Sequence, residues 1–285
     1  MPAEPPVQSP VTLDEAYQLL AGGDGWQPIA GGTDVMVQIT GEIGPPPARV
    51  LDIWGLDELR GIELNGANLV LGALTTYTQI RQSDVCREQL PALVQAGATI
   101  GAAQIQNRGT IGGNIVNASP AGDTLPVLLA TDASFVLGSA RGERTVAAAS
   151  FWPAYRKPDR AADELLLRVV IPLPKGRQVR FRKVGTRRAQ AISKVILALG
   201  WVPDATGAWR EVRVAYGSIA AVPLRLRDVE SALEGATIDP RVAELARAAV
   251  DASIRPIDDV RSTADYRREV SGRILVRVLR EAGGW

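Results

Sequence analysis

The chain reads TIGGNIVNASPAGD over residues 110–123, and this segment contains the more informative of two glycine pairs. The other pair lies earlier, in the run Ala30, Gly31, Gly32, Thr33 and Asp34. Glycine pairs beside hydroxyl and amide side chains let backbone N–H groups approach a bulky anion, because no Cβ stands in the way. We therefore interpret the two segments as Gly-Gly turns that hold a diphosphate between them.

Each of these residues also has a purely structural interpretation. A single glycine pair is usually an ordinary tight turn, and the recurrence of the pattern with Thr and Asn favours the anion site. Thr33 and Thr110 can act as local caps, and Asn114 can fasten a turn. Asp123 can cap a helix that begins near Thr124, a role that is compatible with contact to a ligand. These alternatives stay open at the level of the sequence.

The composition limits the chemistry that the side chains can perform alone. The 285 residues include no histidine and one cysteine. Without histidine there is no imidazole base and no Ser-His-Asp triad. One cysteine supplies too few ligands for an iron–sulfur cluster or a zinc site. We therefore expect a bound organic cofactor to perform any reaction.

Charge and hydropathy exclude several other classes of protein. Lys and Arg number 32 and Asp and Glu 31, so the net charge of +1 provides no global field for binding nucleic acid. The first residues lack the basic and apolar regions of a secretory signal. No apolar stretch approaches the roughly 20 residues that span a bilayer. We expect a cytoplasmic protein with no nucleic-acid partner and no membrane insertion.

The pattern around the first glycine pair predicts a strand followed by a phosphate-binding turn. Residues 26–30 read as a short strand that leads directly into Gly31. Before it, Thr12 and Glu15 have the spacing of a capping box and predict a helix that stops near Gly22. The chain contains neither G-x-G-x-x-G nor G-x-x-x-x-G-K-S/T, which disfavours a Rossmann or P-loop fold.

The remaining pattern predicts two domains. A stretch with prolines and a glycine at 172–176 is the predicted boundary. Before it we predict strands at 49–53, 68–73, 134–138 and 164–171 and helices at 76–81, 90–100 and 124–131. Asn65-Gly66, between two apolar runs, predicts a turn before the second of these strands. After it we predict strands at 180–184, 195–199 and 212–218 and helices at 241–253 and 264–282. This order indicates an α+β protein with domains at 1–175 and 176–285, the second an antiparallel sheet with helices.

Four segments, taken together and in order, resemble the FAD-binding medium subunit of the xanthine dehydrogenase family of molybdenum hydroxylases. They are Ala-Gly-Gly-Thr-Asp at 30–34, the long segment at 110–123, Tyr-Arg-Lys at 155–157 and the basic run at 182–193. The matches span most of the chain, and the long second segment is specific.

The resemblance implies a fold and an electron pathway. The fold would be a two-part FAD-binding domain of the vanillyl-alcohol-oxidase and MurB type, followed by the small α+β domain of carbon monoxide dehydrogenase flavoproteins. In that family, FAD receives electrons from [2Fe–2S] clusters on a small partner subunit. The electrons originate at a molybdopterin centre on a large subunit, where the substrate is hydroxylated. The chain would then be the electron outlet of a heteromeric oxidoreductase.

The resemblance also implies the residues that contact FAD. The first turn would bind the diphosphate mainly through backbone N–H groups. Three residues of the second segment would complete the cradle, with Val116 packing beside it. No metal-ligating or catalytic side chain is implied. The implied cofactor-binding residues are Ala30, Gly31, Gly32, Thr33, Asp34, Thr110, Gly113, Asn114, Val116, Asp123, Leu166 and Lys183.

Three of these positions lie outside the two glycine segments or at their end. Asp123 would accept hydrogen bonds from a hydroxyl-bearing part of the cofactor. Leu166 matches a later contact position of the family, although the residue alone reads as plain core. Lys183 would place a cation near a reduced, anionic flavin and raise its potential. The alternative for Lys183 is a solvated face, because it lies in a run of arginines.

Two rival functions and several details stay open. One rival is a self-contained flavin reductase or oxidase with its own substrate pocket and proton donor. The other is a non-enzymatic nucleotide-binding scaffold protein. With one cysteine the chain cannot hold the extra [4Fe–4S] cluster that some relatives carry in an inserted loop. The sequence does not identify the hydroxylated substrate, and it leaves NAD, oxygen and quinone as possible electron acceptors.

Overall fold

The computed structural model describes residues 4–41, 44–187 and 190–285. Its strands are β1 (Val7–Gln8), β2 (Trp26–Ile29), β3 (Arg49–Asp52), β4 (Ile62–Asn65), β5 (Asn68–Gly72), β6 (Ser134–Ser139), β7 (Gly142–Ala147), β8 (Leu165–Pro172), β9 (Gln178–Val184), β10 (Val195–Pro203), β11 (Trp209–Gly217) and β12 (Leu224–Arg225). Its α-helices are α1 (Leu13–Ala21), α2 (Val35–Ile39), α3 (Tyr77–Gln82), α4 (Asp84–Gln89), α5 (Pro91–Ala98), α6 (Ala103–Arg108), α7 (Ile111–Asn117), α8 (Leu125–Ala130), α9 (Ala148–Phe151), α10 (Arg227–Leu233), α11 (Pro240–Ser253) and α12 (Ala264–Gly283).

A small parallel sheet carries the first glycine pair. Its strand order is β1-β3-β2, and the chain leaves β2 directly into the predicted turn. Helix α1 begins where predicted, because the Thr12 hydroxyl accepts a hydrogen bond from the N–H of Glu15 at 3.2 Å. The Glu15 carboxylate accepts from the N–H of Val11 at 2.8 Å, one residue before the position that a capping box uses. The helix buries Ala16 and Leu20 against this sheet.

A five-stranded antiparallel sheet forms the second part of the N-terminal region. Its strand order is β4-β5-β8-β6-β7. The turn predicted at Asn65-Gly66 joins β4 to β5, with Asn65 opposite Asn68. Strand β8 lies at the centre, and its first residues are buried on both faces, with Leu166 in the main core and Leu165 and Leu167 in the cluster beneath α1. This double burial explains the nearly continuous apolar run that predicted the strand.

The second glycine pair is a helix, so the prediction of a turn is wrong. Gly112 and Gly113 lie in the first turn of α7, whose N-cap is Thr110. The Thr110 hydroxyl accepts a hydrogen bond from the N–H of Gly113 at 3.0 Å. A capping side chain of this kind satisfies an N–H that lacks an intrahelical partner, and it stabilises a helix that two glycines alone disfavour.

The C-terminal region is a four-stranded antiparallel sheet covered by helices α10 to α12. Its strand order is β12-β11-β10-β9. Strand β10 is buried on both faces: Ile196 and Ala198 join the core of the N-terminal region, while Val195 and Leu197 pack with the helical layer. The alternation follows the two-residue period of a strand. The predicted α+β fold with an antiparallel C-terminal sheet and helices is therefore confirmed.

Local signals located most elements but not all of them. The predicted helices at 241–253 and 264–282 correspond to α11 and α12 within a residue or two. The sequence pattern did not predict the shorter elements β1, α2, β4, α4, α6, β7, α9, β12 and α10. The domain boundary at 175/176 falls in the connection between β8 and β9, and the division into two domains stays a prediction.

Candidate functional site

A cleft of about 440 Å³ separates the parallel sheet from α7 and β8. This volume lies within the range of roughly 300–1,000 Å³ that small-molecule sites occupy. Ten of the twelve residues that the resemblance implies line it. They are Ala30, Gly31, Gly32, Thr33, Asp34, Thr110, Gly113, Asn114, Val116 and Leu166.

The first glycine turn forms one wall of the cleft. A Cβ on Gly31 would lie 1.7 Å from the carbonyl oxygen of Arg108, so only glycine allows this close backbone approach. Gly32 has φ of +78°, in the left-handed region that favours glycine. Among the described residues, none accepts a hydrogen bond from the N–H groups of Gly32, Thr33 or Asp34. These donors are available to an anionic ligand.

The start of α7 forms the opposite wall, and its backbone donors are already used. The N–H of Gly112 donates to Ala73 at 2.9 Å, and the N–H of Asn114 donates to Thr110 at 3.1 Å. A Cβ on Gly112 would lie 2.7 Å from the Cβ of Ala73. A Cβ on Gly113 would meet the Thr110 hydroxyl at 2.9 Å and otherwise enter the cleft. This wall therefore contributes space to the cleft rather than unpaired N–H groups.

Side chains around the two walls complete the lining. The Asn114 amide oxygen accepts a hydrogen bond from Thr124 at 2.9 Å, so it fastens α7 to the start of α8. Val116 and Leu166 present apolar surface to the cleft. Tyr77, which the sequence analysis did not single out, also lines it and is 2% exposed. Burial raises the pKa of the Tyr77 hydroxyl, which stays protonated.

Asp123 and Lys183 lie outside the cleft lining and form a buried ion pair. The Nζ of Lys183 is 2.6 Å from Oδ2 of Asp123. The hydroxyls of Thr99 and Ser193 donate to the same carboxylate at 2.9 and 2.5 Å. Burial raises the pKa of the Asp123 carboxyl, while Lys183 and the two hydroxyls act in the opposite direction. The pair connects the loop before α8 to strand β9. The structure therefore brings Asp123 and Lys183 into contact with each other but not with the cleft lining.

Charged residues on the loop before β8 were assigned no role from the sequence. Arg156, Arg160 and Glu164 all line the cleft. Arg156 belongs to the Tyr-Arg-Lys segment that carries part of the family resemblance, which was the available signal. Arg144 donates to the Glu164 carboxylate at 2.6 and 2.8 Å and lowers its pKa.

A stack of side chains supports the first glycine turn from behind. The guanidinium carbons of Arg108 and Arg60 lie 3.8 and 4.6 Å from the ring centroid of Trp54. Cation–π contacts of this kind hold both arginines in place. The Arg108 carbonyl occupies the space beside Gly31, and Nε of Arg108 donates to the Gly31 carbonyl at 3.5 Å, so the stack lies in contact with the turn.

The described ranges contain neither a metal-binding cluster nor a membrane-spanning helix. No group of three or more His, Cys, Asp or Glu side chains within residues 4–41, 44–187 and 190–285 is placed to hold a metal ion. Over the same part of the chain, no helix has both the length and the apolar character needed to cross a membrane.

Comparison with known proteins identifies the class. Residues 3–174 match the family described as the FAD binding domain in molybdopterin dehydrogenase. Residues 180–282 match the CO dehydrogenase flavoprotein C-terminal domain. The chain belongs to this family of FAD-binding oxidoreductase subunits, related to xanthine and carbon monoxide dehydrogenases.

Individual relatives match along nearly their whole length. The glyceraldehyde dehydrogenase medium chain of Sulfolobus acidocaldarius is 31% identical, with 95% of each chain covered. The nicotinate dehydrogenase FAD-subunit of Eubacterium barkeri is 31% identical, with 97% of this chain and 96% of the relative covered. The carbon monoxide dehydrogenase structure from Hydrogenophaga pseudoflava superposes with a TM-score of 0.92 at 28% identity, covering 97% of this chain and 96% of that one.

The residues at the cleft fit the cofactor of this family. Unpaired N–H groups on the first turn suit an anionic diphosphate. The missing Cβ of Gly113 leaves room beside them. Apolar side chains, among them Ile100 and Val116, suit aromatic rings.

Proposed function

We propose that the chain is the electron-transfer subunit of a heteromeric molybdenum hydroxylase and binds FAD in the cleft between the two glycine segments. The observation that carries this proposal is the convergence of ten implied contact residues on one cleft. They come from segments far apart in the sequence, so their meeting is a property of the fold. We further propose a cytoplasmic location.

The two walls have different tasks in this proposal. The N–H groups of Gly32, Thr33 and Asp34 bind the diphosphate, because no described residue competes for them. Gly113 leaves the space that the diphosphate enters. Thr110 and Asn114 hold α7 in position through their hydrogen bonds to Gly113 and Thr124, with no need to touch the ligand themselves.

Asp123 and Lys183 are proposed to act at the far side of the cofactor site. Thr99, which donates to Asp123, precedes the cleft-lining residue Ile100. Oδ1 of Asp123 accepts one hydrogen bond, from Ser193, and an ionised carboxylate oxygen can accept a second. Lys183 lowers the pKa of that carboxyl against the effect of burial, and its ammonium is paired with the Asp123 carboxylate at 2.6 Å.

The chain's own residues supply binding and orientation rather than proton transfer. Bound FAD provides the capacity to accept and release electrons. The chain contains no histidine, and burial raises the pKa of the Tyr77 hydroxyl at the cleft, which makes it a weaker acid than an exposed tyrosine. This inventory supports an electron-transfer role over the self-contained reductase or oxidase, which needs its own proton donor.

We propose that the partners are a small [2Fe–2S] subunit and a large molybdopterin subunit. Support comes from the relatives, which are named as medium chains or FAD subunits of dehydrogenases. Electrons enter from the iron–sulfur partner and leave to an external acceptor, namely NAD, oxygen or a quinone.

The first test is a visible absorption spectrum of the purified chain, followed by release and chromatography of the nucleotide. Flavin bands with FAD in the supernatant support the proposed site. A colourless protein that takes up no added FAD contradicts it and favours a scaffold protein. Co-purification from the native cell tests the assembly, and recovery of a lone chain that turns over substrate favours the self-contained enzyme.

A further inference from the structure

Of the charged side chains that line the cleft, some are already paired within the protein and others are free to contact a ligand. The charged lining residues within the described ranges are Asp34, Arg156, Arg160 and Glu164. The Glu164 carboxylate is neutralised by Arg144. Arg160 donates to backbone carbonyl oxygens, those of Ala161 at 3.1 Å and Glu164 at 2.5 Å, and burial lowers its pKa. These two charges are committed to the protein itself.

Asp34 places an uncompensated negative charge beside the first glycine turn. Its carboxylate accepts a hydrogen bond from the Asn117 amide at 3.0 Å and forms no ion pair with any described residue. A diphosphate brought to this turn is repelled by that carboxylate. The unpaired N–H groups carry only partial charges, so the site requires a cation as well.

Arg156 is the cation in position to meet this requirement. Its Nη1 donates to Oδ1 of Asn117 at 3.3 Å, and Asn117 donates in turn to Asp34. The three residues therefore form a chain from the loop before β8 to the first glycine turn. Among the described lining residues, Arg156 is the cation whose guanidinium is bonded to no carboxylate and no backbone carbonyl oxygen.

The backbone at Arg156 is held in an uncommon conformation. Its φ is +51°, and a turn fixes it there through the hydrogen bond from the N–H of Lys157 to the carbonyl of Ala154 at 3.0 Å. Left-handed backbone at a residue other than Gly, Asn or Asp carries an energetic cost. The turn directs the arginine toward the cleft despite this cost.

We propose that Arg156 is a further binding residue for the FAD diphosphate, an inference that rests on the cofactor site proposed above. A guanidinium has five N–H donors, and one is used by Asn117. The others are free to form charge-assisted hydrogen bonds to phosphate oxygens, which are about twice as strong as neutral ones. Arg156 thereby offsets the negative charge of Asp34 beside the diphosphate.

The test measures the Kd for FAD of three full-length apoproteins, namely the wild type, Arg156→Gln and Lys157→Gln. Both substitutions remove one positive charge, and Lys157 does not line the cleft. We expect Arg156→Gln to raise the Kd for FAD about tenfold, which corresponds to ~1.4 kcal/mol. It also weakens the dependence of Kd on salt, because a screened charge contact is lost. Lys157→Gln leaves both quantities unchanged.

ADP and adenosine as competitors identify the part of FAD that Arg156 contacts. We expect Arg156→Gln to weaken competition by ADP and to leave competition by adenosine unaltered, since only ADP carries the diphosphate. An equal Kd for FAD in Arg156→Gln and the wild type overturns the inference, and so does unaltered competition by ADP. A wild-type chain that takes up no FAD overturns the cofactor site itself, and this inference with it.

Discussion

The two glycine pairs have similar sequences and opposite backbone chemistry. At the first pair the chain forms an irregular turn, with φ of +78° at Gly32. No described residue accepts a hydrogen bond from the N–H groups of this turn at Gly32, Thr33 and Asp34. At the second pair the chain forms helix α7, and its N–H groups donate to Thr110 and Ala73. The first pair therefore presents N–H donors to the cleft, and the second leaves space in the cleft because Gly113 has no Cβ.

The difference arises from what surrounds each pair. The first is pressed against the Arg108 carbonyl, which the stack on Trp54 holds in place. The second follows Thr110, a good N-cap, and packs against Ala73. A Gly-Gly pattern thus predicts close backbone approach at both sites, but the partner that is approached decides whether the N–H groups remain free.

The largest effect is expected from Gly31→Ala. The added Cβ would lie 1.7 Å from the Arg108 carbonyl oxygen, so the turn must move. We expect loss of bound FAD and a decrease of about 3 kcal/mol in the free energy of unfolding, at the upper end of the cost of overpacking. FAD content after gel filtration and denaturant unfolding measure the two effects.

Gly55→Ala is the matched control for this substitution. No atom lies within 4 Å of a Cβ at Gly55, and its φ is not in the left-handed region. We expect normal FAD content and unaltered stability. Full FAD occupancy in Gly31→Ala would show that the first turn does not bind the cofactor.

Gly112→Ala and Gly113→Val separate packing from ligand space within one helix. The Cβ at Gly112 would lie 2.7 Å from Ala73, so we expect a loss of about 1–3 kcal/mol in stability. The side chain at Gly113 would enter the cleft, so we expect loss of flavin retention with a smaller change in stability. Thermal unfolding should show Gly112→Ala as the less stable variant, and the FAD content should be lower in Gly113→Val.

A Gly113→Val variant that purifies with full FAD occupancy contradicts the proposed cradle. If Gly112→Ala proves as stable as the wild type, the contact with Ala73 does not hold α7 in place.

Removal of the cap by Thr110→Val is expected to have a moderate effect. The variant loses the hydrogen bond from the Gly113 N–H and leaves that donor without its partner, at a cost of about 1 kcal/mol. Thr12→Val removes the corresponding cap of α1, which is not part of the cleft lining, at a similar cost. Both should be destabilised in denaturant, while only Thr110→Val raises the Kd for FAD. Equal FAD affinities would show that the geometry of α7 does not affect the ligand.

The smallest effect is expected from Asn117→Ala, which cuts the link between the two glycine segments. The variant loses the hydrogen bond to Asp34 at 3.0 Å, and we expect the Kd for FAD to rise about twofold to fivefold. Asn107→Ala, which loses a hydrogen bond from Thr78 away from the cleft, serves as the control. Titration of apoprotein with FAD measures both. Identical affinities would show that the first turn holds its shape without Asn117.

The elements that the sequence predicts best are those with purely local causes. The Thr12 cap, the Asn65-Gly66 hairpin turn and the doubly apolar strand β8 depend on residues close together in the chain. Ten of the twelve positions that the resemblance implied line the cleft, whereas Asp123 and Lys183 do not, and the contacts of all twelve with FAD stay predictions.

Features that depend on distant partners could not be predicted from the sequence. The pairing of Asp123 with Lys183 joins residues that are 60 positions apart. The helix at the second glycine pair depends partly on Ala73, which no local pattern indicates. Arg156 was visible only as part of a matching segment, and its chain of hydrogen bonds through Asn117 required coordinates.

Strand β10 has a consequence for how such proteins diversify. Its Ile196 and Ala198 belong to the N-terminal core, and its Val195 and Leu197 belong to the C-terminal core. If the C-terminal half of a relative replaced the one here, its strand β10 would still pack against its own helices on one face. On the other face it would have to fit the N-terminal core of this chain, because protein interiors are close-packed. Exchange of C-terminal halves between relatives is therefore expected to lower the stability of the chain unless the residues that pack against Ile196 and Ala198 are exchanged as well.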